Sequence, residues 1–274
     1  MVGTTLIGVL EAETAGDTLA LHAESLRRQG FTVLPSGLSE ATLGDLARRL
    51  DLAYARQVEE FGGAERMDRI GDAWSARALL AYDDAFVRLA AHPPILDLAA
   101  RLLDGYVLLN QQNGVINPPS GAFGQTAWHR DLPYQHFVAS RPIAISALFC
   151  VDAFTRENGA THVVPGSHQS ESFPSSAAVE HLSRPVEAAA GSFIVFDSML
   201  FHRAGDNRSG APRRGINHVY SRAFLRQQID LPAVLDGRYR DDPLLARLFG
   251  YHDRAPPSVL AWRNARLARA GDGA

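Results

Sequence analysis

One cysteine, Cys150, and three methionines are all the sulfur this 274-residue chain contains. A single thiol builds no disulfide framework and no multi-cysteine zinc or iron–sulfur site, and it suits a reducing compartment such as the cytoplasm. Long apolar runs are missing too. None reaches the ~18 residues of a membrane span, and the start, Met1-Val2-Gly3, lacks the basic leader and small-residue cleavage site of an export signal. Charge of one sign is nowhere concentrated: 27 basic and 30 acidic residues give a net charge of -3 with no basic block. That argues against a nucleic-acid partner, and Arg254, Arg263, Arg266 and Arg269 read as a solvated helix face.

With 46% hydrophobic and 21% charged residues, the chain has the composition of a globular protein with a sizeable core. No repeat or low-complexity linker divides it, so the expectation is one domain over residues 1–274. Its first part, 1–105, reads as a mostly helical layer. Leu19, Leu21 and Leu26 suit a helix stopped by Gly30, and Phe31 to Pro35 a short buried strand. Ser39 is positioned to cap a helix running to about Gln57, and Phe61 to Ala64 breaks the pattern. Residues 65–83 fit no single element. Helical spacing returns from Asp84 to Leu103 with a restart at Pro93-Pro94.

From Gly105 the pattern changes to short apolar runs separated by turn residues. Tyr106 to Ile116 opens a strand, and Pro118 to Gly121 is a loop. Ile143 to Val151, Thr161 to Val164, Ser192 to Phe196, Phe201-His202 and Gly215 to Phe224 read as further strands. Asn158-Gly159 between two apolar runs is a hairpin signal. The Ser-, Glu- and Ala-rich stretch 168–190 is long for a connection and reads as a lid. Residues 106–226 thus suggest an antiparallel sandwich or barrel, mainly β with α, behind the helical layer, with 227–274 a C-terminal extension.

The chemistry centres on Gln125 to Asp131. If that segment runs as a strand, His129 and Asp131 share one face and offer an imidazole and a carboxylate to one point. Taken alone, His-x-Asp in a chain with 10 histidines is unremarkable. His202 is the candidate third ligand. Two histidines and one carboxylate leave iron with open positions for a chelating cosubstrate and oxygen, while the same ligand types also serve a hydrolytic zinc site. Arg213, beyond the turn at 205–210, is placed to pair bidentately with a carboxylate pointing away from a metal; its other reading is a surface arginine.

His129 to Tyr134, Glu157-Asn158-Gly159-Ala160, Val164 to His168, Phe196-Asp197, His202, Asn207, Ser209 and Arg213, in that order, resemble the phytanoyl-CoA dioxygenase family. The resemblance covers about 106–226. It implies a double-stranded β-helix of the jelly-roll or cupin-like kind, and Fe(II)- and 2-oxoglutarate-dependent oxygenation. It further implies His129, Asp131 and His202 as metal ligands and Arg213 as partner of the distal carboxylate of 2-oxoglutarate. A further cosubstrate contact would come from the strand before the His-x-Asp motif: Gln111 and Asn113 on one face, or Gln112 in the competing register. Asp131 argues for hydroxylation or another oxidation, since related halogenases carry a small residue there. The chain departs from some members in having Ala204 two residues after the distal histidine, where they have serine.

Trp128, Phe137, Phe149 and Asn217 are candidate substrate contacts. His136, His162, His168 and His218 read as structural or substrate-facing, although His162 and His168 keep open a cupin-like protein with a different ligand set. The expected partners are O2 and a small-molecule substrate. Without a basic cluster for coenzyme A phosphates, a free small molecule of specialised metabolism is preferred over an acyl thioester. The remaining alternative is a non-catalytic metal- or ligand-binding barrel.

Overall fold

Asp17 accepts hydrogen bonds from the Leu19 and Ala20 amides, capping α1 (Thr18–Gln29). The computed structural model describes residues 17–119, 123–132 and 136–271. Residues 1–16, Ser120-Gly121 of the proline-rich loop and Pro133-Tyr134 of the motif lie outside the described residues. Helix α1 ends at Gly30, whose φ of 89° is the left-handed conformation of a glycine stop. The chain then enters β1 (Phe31–Pro35). Ser39 caps α2 (Glu40–Phe61), which continues one turn past Gln57 until Gly62.

The stretch without a clear period resolves into α3 (Ala64–Arg69), β2 (Ser75–Arg77) and a 3-10 turn at Leu79–Ala81, pieces too short for periodicity to register. Next come α4 (Asp84–Ala90) and α5 (Pro93–Leu102), the latter opening on proline as expected. The C-terminal α7 (Leu231–Val234) and α8 (Pro243–Leu248) join the same layer, because Leu231, Leu235, Leu248 and Phe249 are buried with Leu26, Leu50, Phe86 and Leu98 in one core. The last helix, α9 (Val259–Gly271), leaves Arg263 and Arg266 exposed. No helix among the described residues is long and apolar enough to cross a membrane.

The remaining strands are β3 (Leu108–Asn117), β4 (Ala144–Cys150), β5 (Thr161–Val163), β6 (Arg184–Val186), β7 (Ser192–Asp197), β8 (His202–Arg203) and β9 (Arg213–Ser221), with α6 (Ser176–Leu182) before β6. They form a six-stranded antiparallel sheet, β1-β7-β4-β9-β3-β2, and a three-stranded one, β6-β5-β8. These are the two walls of a double-stranded β-helix. Strand β4 is buried at every residue, which explains its unbroken apolar run: one face meets the helical layer and the other the barrel interior.

Cross-strand register sorts the faces. Asn113, Asn217, Leu148 and Ile194 lie side by side facing inward, while Gln112, His218, Ala147 and Val195 face the helices. Two expectations need correction. Asn158-Gly159 closes no hairpin, because β4 pairs with β7 and β9 whereas β5 pairs with β6 and β8; the turn carries the chain between sheets. The stretch 168–190 is not one long connection: β6 belongs to the small sheet, and Ala188 exchanges two backbone hydrogen bonds with Phe154.

Gly159 is required where it stands. Its φ is 80°, and a Cβ there would lie 2.4 Å from the Gly205 carbonyl oxygen and 2.5 Å from Asn117 Nδ2. Backbone strain and overpacking together predict that Gly159→Ala costs about 2–5 kcal/mol. A shift of the urea midpoint at unchanged slope measures it; an unchanged midpoint would show the sheet-to-sheet turn to be pliable.

Candidate metal centre

His129 and Asp131 reach one point without a continuous strand, contrary to the simplest expectation. Gly124–Thr126 is a 3-10 turn, and His129 makes a single two-way bridge with His202, N–H to O at 3.0 Å and 3.1 Å. The Asp131 amide donates to Ser198 O at 3.1 Å, so the segment remains extended and residues 129 and 131 still share a side. His202 opens β8 opposite them. Their ligand atoms all lie within 4.8 Å of one another, with His202 Nε2 and His129 Nε2 at 3.4 Å and 4.0 Å from Asp131 Oδ1.

The orientation of each group follows from its hydrogen bonds. His129 Nδ1 meets Ala127 O at 2.8 Å and His202 Nδ1 meets Leu200 O at 3.0 Å. A carbonyl only accepts, so both Nδ1 atoms carry the proton and both Nε2 lone pairs face the common point. Asp131 Oδ2 accepts from Ser146 Oγ at 2.5 Å and Asn217 Nδ2 at 2.9 Å, leaving Oδ1 for the imidazoles, and Ser146 is backed by Ser198 Oγ at 2.8 Å. Burial pushes the Asp131 pKa up, but His202, His129 and the Ser146 hydroxyl outweigh it and hold the carboxyl well below its usual range. Burial lowers the His202 pKa less than Asp131 raises it, while burial and His202 together push His129 down. A carboxylate and two imidazoles converge with lone pairs free, a donor set suited to a divalent transition metal.

The triad lines a cavity whose wall includes Val115, Phe123, Leu148 and Phe196, with Gln125, Thr161, Arg213 and Asn217 as polar members. Arg213 is wholly buried and lies 3.9 Å over the Phe154 ring, yet among the described residues its Nε and Nη1 have no hydrogen-bond partner. Burial pushes its pKa down to about 10. Gly215 makes room for this stack, since a Cβ there would be 3.0 Å from Phe154 Cζ. An unpaired buried guanidinium is costly, and an anion in the cavity is the group that would relieve it.

Not every expected residue reaches the cavity. Gln112 faces the helices, its amide held by Leu80 N–H, Phe86 O and His218. Gln111 and Asn113 face inward as parity requires, but β3 lines the cavity through Val115. Trp128 points the other way from His129 and packs on Phe173 and Arg203, outside the barrel. Phe149 lies in the core shared with the helices, against Phe193, and Leu148 is the neighbour that lines the cavity. Phe137 is exposed and does not line the cavity. Asn217 does line it, with its amide committed to Asp131 and its Oδ1 unpaired.

The rival ligand set fails: His162 alternates with cavity-lining Thr161, and His168 Nε2 is held by Arg27 O. Among the described residues, the one cluster with metal-ligating geometry is His129, Asp131 and His202. Sequence reasoning missed Ser146, Ser198, Thr161 and Phe154. Ser146 had a usable signal, being the one hydroxyl inside the apolar run of β4, where a buried polar group demands a partner.

The family model described as phytanoyl-CoA dioxygenase matches residues 26–215. An uncharacterized protein of Mycobacterium tuberculosis is 35% identical over 262 residues, covering 91% of this chain and 94% of its own. The dioxygenase af480 of Aspergillus fumigatus is 31% identical over 71% of this chain and 64% of its own. Among solved structures, EctD from S. alaskensis with 2-oxoglutarate and 5-hydroxyectoine superposes with a TM-score of 0.64 at 24% identity, covering 80% of this chain and 82% of that one. The epimerase SnoN in complex with Fe3+, alpha ketoglutarate and nogalamycin RO gives 0.60 at 21% identity, covering 81% and 90%. A matched family model over more than half the chain, on this fold and around this triad, makes the chain a member of the phytanoyl-CoA dioxygenase family of Fe(II)- and 2-oxoglutarate-dependent oxygenases.

Proposed function

We propose that the protein hydroxylates an unactivated C–H bond of a small polar molecule, with Fe(II) held by His129, Asp131 and His202 and 2-oxoglutarate anchored by Arg213. The observation that carries this reading is the division of labour at Asp131: Ser146 and Asn217 occupy one oxygen, and the other faces both Nε2 atoms. Bound there, iron with 2-oxoglutarate and O2 supplies an oxidant for C–H bonds, with succinate and carbon dioxide as coproducts. The protein's part is to orient the ligands, exclude water through Phe123, Leu148 and Phe196, and place an anionic cosubstrate against Arg213. Asp131 fills the position that a halide would need, which favours hydroxylation over halogen transfer.

A polar substrate is supported by the polar side chains on the cavity wall, Gln125, Thr161 and Asn217, the last with its Oδ1 unpaired among the described residues. Buried groups of this kind discriminate strongly against analogues that leave them unpaired. Relatives that include the L-proline trans-4-hydroxylase of Streptomyces griseoviridis, 29% identical over 51% of this chain, favour a free small molecule in specialised metabolism over an acyl thioester. Cys150 is the chain's one cysteine, so no disulfide can form within the chain, which is in keeping with a cytoplasmic location.

The test is succinate formation from 2-oxoglutarate by the Fe(II)-loaded protein in air, with a panel of amino acids and hydroxylated small molecules. Slow turnover alone, accelerated by a panel member and abolished when Zn(II) replaces Fe(II), is the expected result. A protein that binds Fe(II) yet releases no succinate with any substrate would be a binding barrel, and hydrolysis supported by Zn(II) would make it a hydrolase.

A further inference from the structure

The residue between the two ligands of the His-x-Asp pair is itself charged and buried. Arg130 is 3% exposed, and in extended backbone its side chain leaves the face opposite to that of His129 and Asp131. Its guanidinium lies 3.9 Å over the Phe201 ring. Nε donates to Met199 O at 2.7 Å, Nη1 to Glu171 O at 3.3 Å, and Nη2 to Ser167 O at 3.1 Å and to Ser170 O. One rigid fork of donors thus meets carbonyls of two separate segments, 167–171 and the turn at 198–200.

The metal ligands take their positions from that turn. Its three successive carbonyls each accept from a different group: Ser198 O from the Asp131 amide at 3.1 Å, Met199 O from Arg130, and Leu200 O from His202 Nδ1 at 3.0 Å. Ser198 Oγ adds its contact with Ser146, the hydroxyl that fixes Asp131 Oδ2. On the other side of the guanidinium, Ser167 Oγ accepts from the amide of Phe201, the residue before His202, at 3.0 Å. Any shift of the turn would therefore move the Asp131 carboxylate and the His202 ring together.

We infer that Arg130 is a positioning residue for the metal site, clamping the 198–200 turn to segment 167–171 and so holding Asp131 and His202 in their mutual placement. It acts through those two ligands, from the face of the segment that points away from the ion. The inference rests on the metal-binding reading above. Lysine is no substitute, because one ammonium cannot span carbonyls of both segments.

The test is equilibrium dialysis of the full chain against Fe(II) without oxygen, with thermal midpoints measured alongside. Arg130→Met is expected to raise the Kd for Fe(II) roughly 10- to 100-fold, the range for groups that orient metal ligands. Arg130→Lys keeps the charge and serves if Arg130→Met does not fold; it is expected to raise the Kd about tenfold or more. Leu98→Ala, in the core of the helical layer, supplies the comparison, since the cavity it leaves lowers the midpoint while the Kd stays unchanged. Wild-type affinity in either Arg130 variant overturns the role. So does a loss in Leu98→Ala as large as theirs, which would mark a general loosening of the fold. Failure of the wild type itself to bind Fe(II) would instead remove the metal reading on which the inference stands.

Discussion

Asp131→Asn is expected to empty the metal centre. The oxygen at the Oδ2 position accepts from both Ser146 Oγ and Asn217 Nδ2, so the asparagine carbonyl is drawn there. Its NH2 group then faces the two Nε2 atoms, where a ligand lone pair is needed. Losing the groups that merely orient metal ligands costs about 10- to 100-fold in affinity, so inverting the ligand itself should exceed that and take succinate formation with it. Asn217→Ala and Ser146→Ala fall inside the smaller range. Equilibrium dialysis against Fe(II) without oxygen measures all three, and stoichiometric iron in the Asn variant would show that the histidines suffice.

The same substitution has a signature in the metal-free protein. Asp131 is held below its ordinary pKa and His202 above its own. The first shift contributes stability above about pH 4 that is lost as pH falls through the depressed pKa; the second contributes below about pH 6.5 and is lost as pH rises through the elevated one. Wild type without metal should thus exceed Asp131→Asn in stability most between about pH 4 and 6.5, with the gap narrowing above. Denaturation in chelator across that range reads it directly.

Arg213→Met should separate stability from binding. In the metal-free protein, the arginine is a fully buried cation with two unpaired nitrogens and a pKa lowered to about 10 by burial. A cation whose folded pKa is depressed weakens the fold at all pH values where it stays charged, so replacing it by an apolar chain should leave the melting point unchanged or raise it. Binding goes the other way. Removing one partner of a buried charge pair costs about 2–5 kcal/mol, roughly thirtyfold to several thousandfold in Kd for 2-oxoglutarate. Iron affinity without cosubstrate should not change. A variant that loses stability and keeps 2-oxoglutarate would return Arg213 to a structural role.

Much of this site was legible before any fold was seen, because local parity and spacing are properties of the chain. His129 and Asp131 two apart, His202 in a later short strand and Arg213 at the start of the strand after it were all readable, as were the glycine stop at Gly30, the break at Phe61 to Ala64 and the cap at Ser39. The errors share one cause. Trp128 was judged by its nearness to the motif and Phe149 by a family position whose register was open, whereas neighbours in extended backbone point to opposite faces: Trp128 left the barrel and Phe149 joined the helix-facing core. The Asn158-Gly159 turn failed for a related reason, since turn chemistry specifies a reversal but not which sheet receives the chain.

What the sequence determined by itself, then, was the donor set and the rough order of elements, since both follow from residue type and from periods of 2 and 3.6. Tertiary structure decided which of the two faces of each strand became the interior. It set Ser146 and Asn217 on one oxygen of Asp131 and stacked the buried Arg213 on Phe154 with two of its nitrogens unpaired among the described residues. Those relations arise from cross-strand register between segments far apart in the chain, which no local pattern encodes.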